Sequence, residues 1–215
     1  MRHPYALLER LHGRYVHVGR VSVLARHIAG LLPVGASVLD VGCGDGLLAV
    51  RLSELRPEIA IRGVDVLVRP GAAIPVQAFD GTHLPLPDKA VDVALCVDVL
   101  HHTLDPRALL REMARVSSRV VVKDHTREGF LAQETLAFMD RLGNARHGVA
   151  LPCNYLSLSE WHEVLRATDL GVERWIPSLP IYPAPASWIF GRRLHFLAAL
   201  RPLTSGPPDA PSSQG

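Results

Sequence analysis

An apolar strand that runs into a glycine-rich turn is the strongest constraint on what this chain can become. The stretch is Ser37-Val38-Leu39-Asp40-Val41-Gly42-Cys43-Gly44-Asp45-Gly46, with an acid near the strand's end. Leu47, Leu48, Val50, Leu52 and Leu55 follow at a spacing that fits one buried helix face. Strand, tight turn and helix together aim backbone N–H groups and a helix N-terminus at one point, which suits an anionic group. Glycines accept positive φ there and let a ligand approach the backbone with no Cβ in the way.

The alternation continues on both sides of this unit. Residues from about Pro4 to Leu32 read as helix broken at Gly13 and Gly19, with Leu7, Leu8, Leu11 and Tyr15, then Val21, Leu24, Ile28 and Leu31, on one stripe. Second and third strands are expected over Ile59–Val66 and Ile74–Ala78. Val91–Val97 is a nearly continuous apolar run, the mark of a strand buried on both faces. Asp105-Pro106 forms an N-cap and first-turn pair for a helix with Leu109, Leu110, Met113 and Val116 inward. A strand at Val120–Val122 and a helix from about Glu128 to Leu142, stopped by Gly143-Asn144, come next. Ser157 with Glu160 fits a capping box for a helix carrying Trp161, Val164 and Leu165. Late strands near Val172–Ile176 and His195–Leu200 would close the sheet. Strands alternating with helices indicate a single doubly wound α/β domain.

Composition excludes more than it selects. The charge of +2 arises from 23 basic and 21 acidic residues without a dense Lys/Arg block, so no nucleic-acid partner is expected. Cys43, Cys96 and Cys153 are too scattered for a disulfide framework or a zinc site. No apolar stretch approaches a membrane span, and a cytoplasmic, reducing location is the expectation.

The string VLDVGCGDG resembles the first motif of the class I S-adenosylmethionine-dependent methyltransferases, and further matches follow in that family's order. The resemblance is strongest from about Ala36 to Lys123. It implies a doubly wound, mostly parallel seven-stranded sheet with helices on both faces. It also divides the chain into an N-terminal helical cap at 1–35, a methyltransferase domain at 36–204 with pocket-covering insertions at 124–171 and 177–193, and a disordered tail at 205–215. The cofactor implied is S-adenosyl-L-methionine. Gly42 and Gly44 would meet its methionyl part, Asp40 its ammonium, and Asp65 both ribose hydroxyls, since a carboxylate has two acceptor oxygens suited to a diol. Val66 would lie against the adenine, Asp80 would accept from its amino group, and Cys96 and Val97 would pass the methionyl chain. A dinucleotide site is the nearest rival, but its third glycine would fall at position 47, where Leu47 stands.

Val99-Leu100-His101-His102 resembles the V-L-H-H element of the small "type 11" branch. Some small-molecule members use a His in this region as general base. His101 is favoured for that role, His102 as its partner or a core residue, and Asp124 as the group that orients the imidazole. A metal site from His101, His102, Asp105, Asp124 and His125 is not expected, because no i, i+4 pair or H-x-H spacing supports one.

Phe130, Phe138, Met139, Asn144, His147, Tyr155 and Trp161 fall in the segment expected to cover an acceptor pocket, which favours a small or lipid-like acceptor. Ile181–Phe190, followed by Gly191-Arg192-Arg193, fits either a Pro-rich connection packed on the sheet edge or peripheral contact with a membrane surface. The function expected is O- or C-methylation with His-assisted deprotonation. A non-catalytic cofactor-binding homologue and a nicotinamide oxidoreductase are the alternatives.

Overall fold

Period-two burial along the central strands sorts their side chains onto two faces, and each face is covered by helices. The computed structural model describes residues 19–144, 154–182, 184, 186–191 and 193–203. Its strands are β1 (Ser37–Val41), β2 (Ala60–Asp65), β3 (Val76–Ala78), β4 (Val91–Val97), β5 (Ser117–His125), β6 (Leu170–Ile176) and β7 (His195–Pro202). Its helices are α1 (residues 19–29), α2 (Leu47–Leu55), α3 (Pro106–Val116), α4 (Ala132–Asn144), α5 (Leu158–Arg166) and α6 (Ala186–Phe190).

The sheet has seven strands in the order β3-β2-β1-β4-β5-β7-β6. β1 to β5 run parallel, while β7 lies antiparallel between β5 and β6. This is the mostly parallel, doubly wound sheet expected. On one face Val38, Val93, Leu95, Val121 and Leu197 pack with Leu24 and Ile28 of α1 and Leu52 of α2. On the other, Leu39, Val41, Ala94, Cys96, Val120, Val122 and Phe196 pack with Leu109, Leu110 and Met113 of α3 and Trp161 of α5. Trp161 is buried, meets Phe196 edge-on at 5.1 Å between ring centroids, and donates its indole N–H to the His125 carbonyl at 2.9 Å. That bond fastens α5 to the end of β5, where the polar residues gather.

Local signals hold at the helix starts. Asp105 accepts from the Arg107 N–H with Pro106 at the first helical position, and Ser157 and Glu160 form the full capping box. Boundaries move elsewhere. β5 extends beyond Val120–Val122 to take in Lys123, Asp124 and His125, because β7 pairs with them through Leu197, Phe196 and His195. α4 starts at Ala132 rather than near Glu128, after Gly129 and Leu131 adopt φ of 101° and 52°, and it runs on through Gly143 and Asn144. The β2–β3 crossover, residues 66–75, contains no helix, although parallel connections usually take a dozen residues or more and a helix. The expectations for Tyr15 and residues 1–18, His147, Cys153 and the 205–215 tail lie outside the described residues. Among the described residues no helix is long and apolar enough to cross a membrane.

Candidate active site

The strand order reverses between β1 and β4, and ligands of open α/β sheets bind outside the carboxyl ends of strands at such a point. Each parallel strand delivers a carboxylate to that rim: Asp40 in β1, Asp65 ending β2, Asp80 after β3, Asp98 after β4, and Asp124 near the end of β5.

The glycine turn is held by the Gly42 and Cys43 N–H groups, which donate to the Val64 carbonyl at 2.8 and 3.2 Å. Gly42, Gly44 and Gly46 all take positive φ, at 73°, 60° and 77°. A Cβ on Gly42 would strike Val99 at 2.4 Å, and one on Gly46 would strike Ile74 at 2.8 Å. Those two glycines let the protein pack on itself. Gly44 differs: a Cβ there would meet nothing closer than the Arg69 guanidinium, at 3.7 Å.

Asp65 ties the turn to β2. One of its oxygens accepts from the Gly44 N–H at 2.8 Å and the other from the Leu67 N–H at 2.9 Å. A carboxylate has about four lone-pair sites, so acceptor capacity remains for a diol. Asp40 is 2% exposed and its Oδ2 has no hydrogen-bond partner. Burial first, then the charges of Asp65 and Asp45, push its carboxyl up to about 7. An orphaned carboxylate oxygen beside two further acids fits a ligand carrying a cation. The bare face of Gly44 fits a ligand pressed on the backbone. On both grounds these residues suit an adenosyl sulfonium with an amino-acid end.

The remaining cofactor candidates are less uniform. Val66 is exposed beside Gly81. Asp80 lies in a local turn, accepting from the Thr82 and His83 N–H groups at 2.7 Å each and pairing with the His83 ring at 3.0 Å. The backbone N–H of His83, then its ring, then the Thr82 N–H lower the Asp80 carboxyl to about 2. Cys96 is fully buried on the α3 face, its thiol pushed well up chiefly by burial, and Val97 is half-buried beyond it.

His101 lies in a short 3-10 turn, Leu100–His102, that follows β4. Its Nδ1 is 2.6 Å from Asp124 Oδ1, with both side chains buried. The other Asp124 oxygen accepts from the Leu100 N–H at 3.0 Å and the His101 N–H at 3.4 Å. Burial alone would raise the Asp124 carboxyl, but the His101 charge and hydrogen bonds from His101 and His125 hold it well below the usual carboxylate range. The His102 ring lies 3.8 Å from that of His101, tilted by 49°. Tyr155 stacks over His101 at 5.5 Å.

Sequence reasoning missed the depth of this cluster. His125 places Nδ1 3.3 Å from Asp124 Oδ1 and 3.4 Å from the His101 ring. Its imidazole is pushed well below its ordinary range by burial and by the Lys123 charge. Among the described residues, His101, Asp124 and His125 form the group that brings three metal-ligating atoms within 4.8 Å of one another, a convergence that spacing along the chain did not reveal. Lys123 is wholly buried, pairs with Asp98, and lies 3.2 Å from His195. Arg20 of α1 also pairs with Asp98. The signal was available, since a Lys that continues the apolar strand Val120-Val121-Val122 demands a counter-charge once buried.

Leu179 and Ile181 pack into the core, whereas Trp188 and Ile189 of α6 are 74% and 54% exposed.

A family model described as a methyltransferase domain matches residues 15–174. The 27-O-demethylrifamycin SV methyltransferase of Amycolatopsis mediterranei is 27% identical over 136 residues, covering 51% of this chain and 50% of that protein. The uncharacterized methyltransferase YcgJ of Bacillus subtilis is 30% identical over 161 residues, covering 67% of this chain and 61% of that protein. The chain thus spans between half and about three fifths of the length of these curated relatives. Among solved structures, a methyltransferase of Thermotoga maritima described as a possible histamine N-methyltransferase superposes with a TM-score of 0.63 at 23% identity, covering 94% of this chain and 100% of that one, and shares the fold.

Proposed function

The chain belongs to the class I S-adenosylmethionine-dependent methyltransferases, of the type 11 kind, and we propose that it methylates an oxygen or carbon atom of a small or lipid-like acceptor, with His101 taking the acceptor's proton. Bound at the glycine turn, S-adenosylmethionine supplies an electrophilic sulfonium methyl. Asp40 would receive its ammonium, Asp65 its ribose hydroxyls, and Gly42 and Gly44 its chain, while Val66 and Asp80 would border the adenine and Cys96 and Val97 would lie near the methionyl carbons.

The observation that carries the proton-handling reading is the 2.6 Å contact between His101 Nδ1 and Asp124. With Nδ1 turned to the carboxylate, the imidazole is held in one orientation at the end of β4. The Asp124 charge stabilises the imidazolium that forms. His101 would take the acceptor's proton where the cofactor, held at the glycine turn, would supply its methyl. A positioned base of this kind contributes about 10²–10⁴-fold. Asp124 is committed to His101 and to backbone N–H groups, which favours proton handling over metal binding at the same cluster. An acceptor with an ionisable hydroxyl or acidic carbon suits a base better than an amine does. The relative named for 27-O-demethylrifamycin SV, a substrate described by a missing O-methyl group, supports the oxygen reading.

The test uses His101→Ala with tritium-labelled S-adenosylmethionine and a panel of phenols, catechols and β-diketones. Cofactor affinity should be retained and methyl transfer should fall by about 10²-fold or more. Full transfer by the variant would remove His101 from the mechanism. Calorimetric binding of NAD alone, with none of S-adenosylmethionine, would overturn the cofactor assignment.

A further inference from the structure

The bare side of Gly44 raises a question that its neighbours do not. Gly42 and Gly46 need the room for Val99 and Ile74, and Gly63 needs it for the Cys43 sulfur, 2.5 Å from where a Cβ would stand. Each of those glycines answers to packed protein atoms. Beyond Gly44 stands the far end of a flexible side chain. Arg69 Cζ, Nη2 and Nη1 lie 3.7, 3.8 and 3.9 Å from the Cβ position. Near-equal distances from all three atoms mean that the guanidinium lies flat across the open face.

The loop that carries Arg69 is fixed in place. It belongs to the helix-free β2–β3 crossover, and the Ala73 N–H donates to the Asp45 carbonyl at 2.8 Å. Ile74 presses on Gly46, and the Ala72 N–H closes a turn on the Arg69 carbonyl at 3.2 Å. Arg69 therefore has a short tether and a limited reach, centred on the glycine turn. The turn is also where a cation is wanted: Asp40, Asp45 and Asp65 interact there, and the Arg69 charge is felt at the neighbouring Cys43 thiol.

We propose that Arg69 sets cofactor affinity by lying in the cofactor's place: its guanidinium covers the open face of Gly44 until the adenosyl cofactor displaces it. The inference rests on the cofactor assignment above. Apparent affinity is the intrinsic affinity reduced by the fraction of molecules with the face open. Truncating the side chain removes the competitor and leaves the backbone cradle, Asp40 and Asp65 untouched. A residue that held the bound cofactor would have the opposite effect.

The experiment is calorimetry of the full chain, its Arg69→Ala and its Arg69→Gln variants with S-adenosylhomocysteine and with S-adenosylmethionine. Arg69→Ala should bind both ligands several-fold more tightly than the unmodified chain, and Arg69→Gln should fall between. Unchanged or weaker binding by Arg69→Ala, with the unmodified chain binding normally, would overturn the proposal while leaving the cofactor assignment intact. Binding by Arg69→Ala alone would mean that the guanidinium closes the cradle fully, and supports the proposal. Silence from every variant, with circular dichroism showing folded protein, would sink the cofactor assignment and this inference together.

Discussion

Asp40 titrates at about 7 because it is buried beside Asp65 and Asp45, and that single carboxyl links folding, binding and pH. The folded chain keeps this proton to about 7, whereas the unfolded chain loses it near the ordinary value of 3.8. Between those values the native state binds more protons than the unfolded one, so stability from this group is complete at low pH and declines as pH rises through the window. Asp40→Asn should flatten that slope in urea titrations from pH 4 to 8. Cofactor affinity should move the other way, because an ammonium wants the ionised carboxylate. The dissociation constant should fall as pH rises from 5.5 to 7 and level off above 8, with the dependence abolished in Asp40→Asn. Lys123 poses a second test at this scale. It is buried against Asp98, and removing one partner of a buried pair costs about 3–5 kcal/mol. Asp98→Asn should show that loss in denaturant unfolding, and adding Lys123→Met should recover much of it.

At the scale of elements, what was legible in the sequence is what is decided locally. The Asp105-Pro106 start of α3 and the Ser157/Glu160 box of α5 are set by side chains reaching a few residues along their own chain. Ser157→Ala should cost about 1 kcal/mol in urea unfolding. The glycine turn and the acid ending β2 were equally readable, and the sheet brings them into contact through the bond from the Gly44 N–H to Asp65. What was not readable depends on residues far apart in sequence. His125 reaches His101 only because the turn after β4 folds back over the end of β5. The polar end of β5 looked like loop because Lys123, Asp124 and His125 are poor strand candidates until Asp98, His101 and β7 supply their partners. The late start of α4 has a backbone cause, the positive φ of Gly129 and Leu131.

For the whole molecule, the rim joins cofactor turn and histidine cluster across five parallel strands, so a ligand seated there ties much of the sheet together. Free ligand at 100 times its dissociation constant adds about 2.7 kcal/mol when it binds only the folded chain. S-adenosylhomocysteine should raise the melting temperature by several degrees in differential scanning fluorimetry, and NAD should leave it unchanged. Asp65→Ala should abolish the rise. The charged cluster of Arg20, Asp98, Lys123 and His195 joins α1, the end of β4, β5 and β7, which places a helix from the start of the described chain and its last strand around one rim.

That last strand sits in the middle of its half of the sheet, between β5 and β6. While the ribosome is still extending the nascent chain, β5 has an open edge and β6 has nothing to pair with. Synthesis at roughly 5–20 residues per second leaves that exposure lasting seconds. His195, the neighbour of Lys123, arrives with β7 itself. The buried charged cluster is therefore completed only when β7 arrives, and arrested chains ending before residue 195 should be protease-sensitive along Val120–His125, a segment that the finished protein protects.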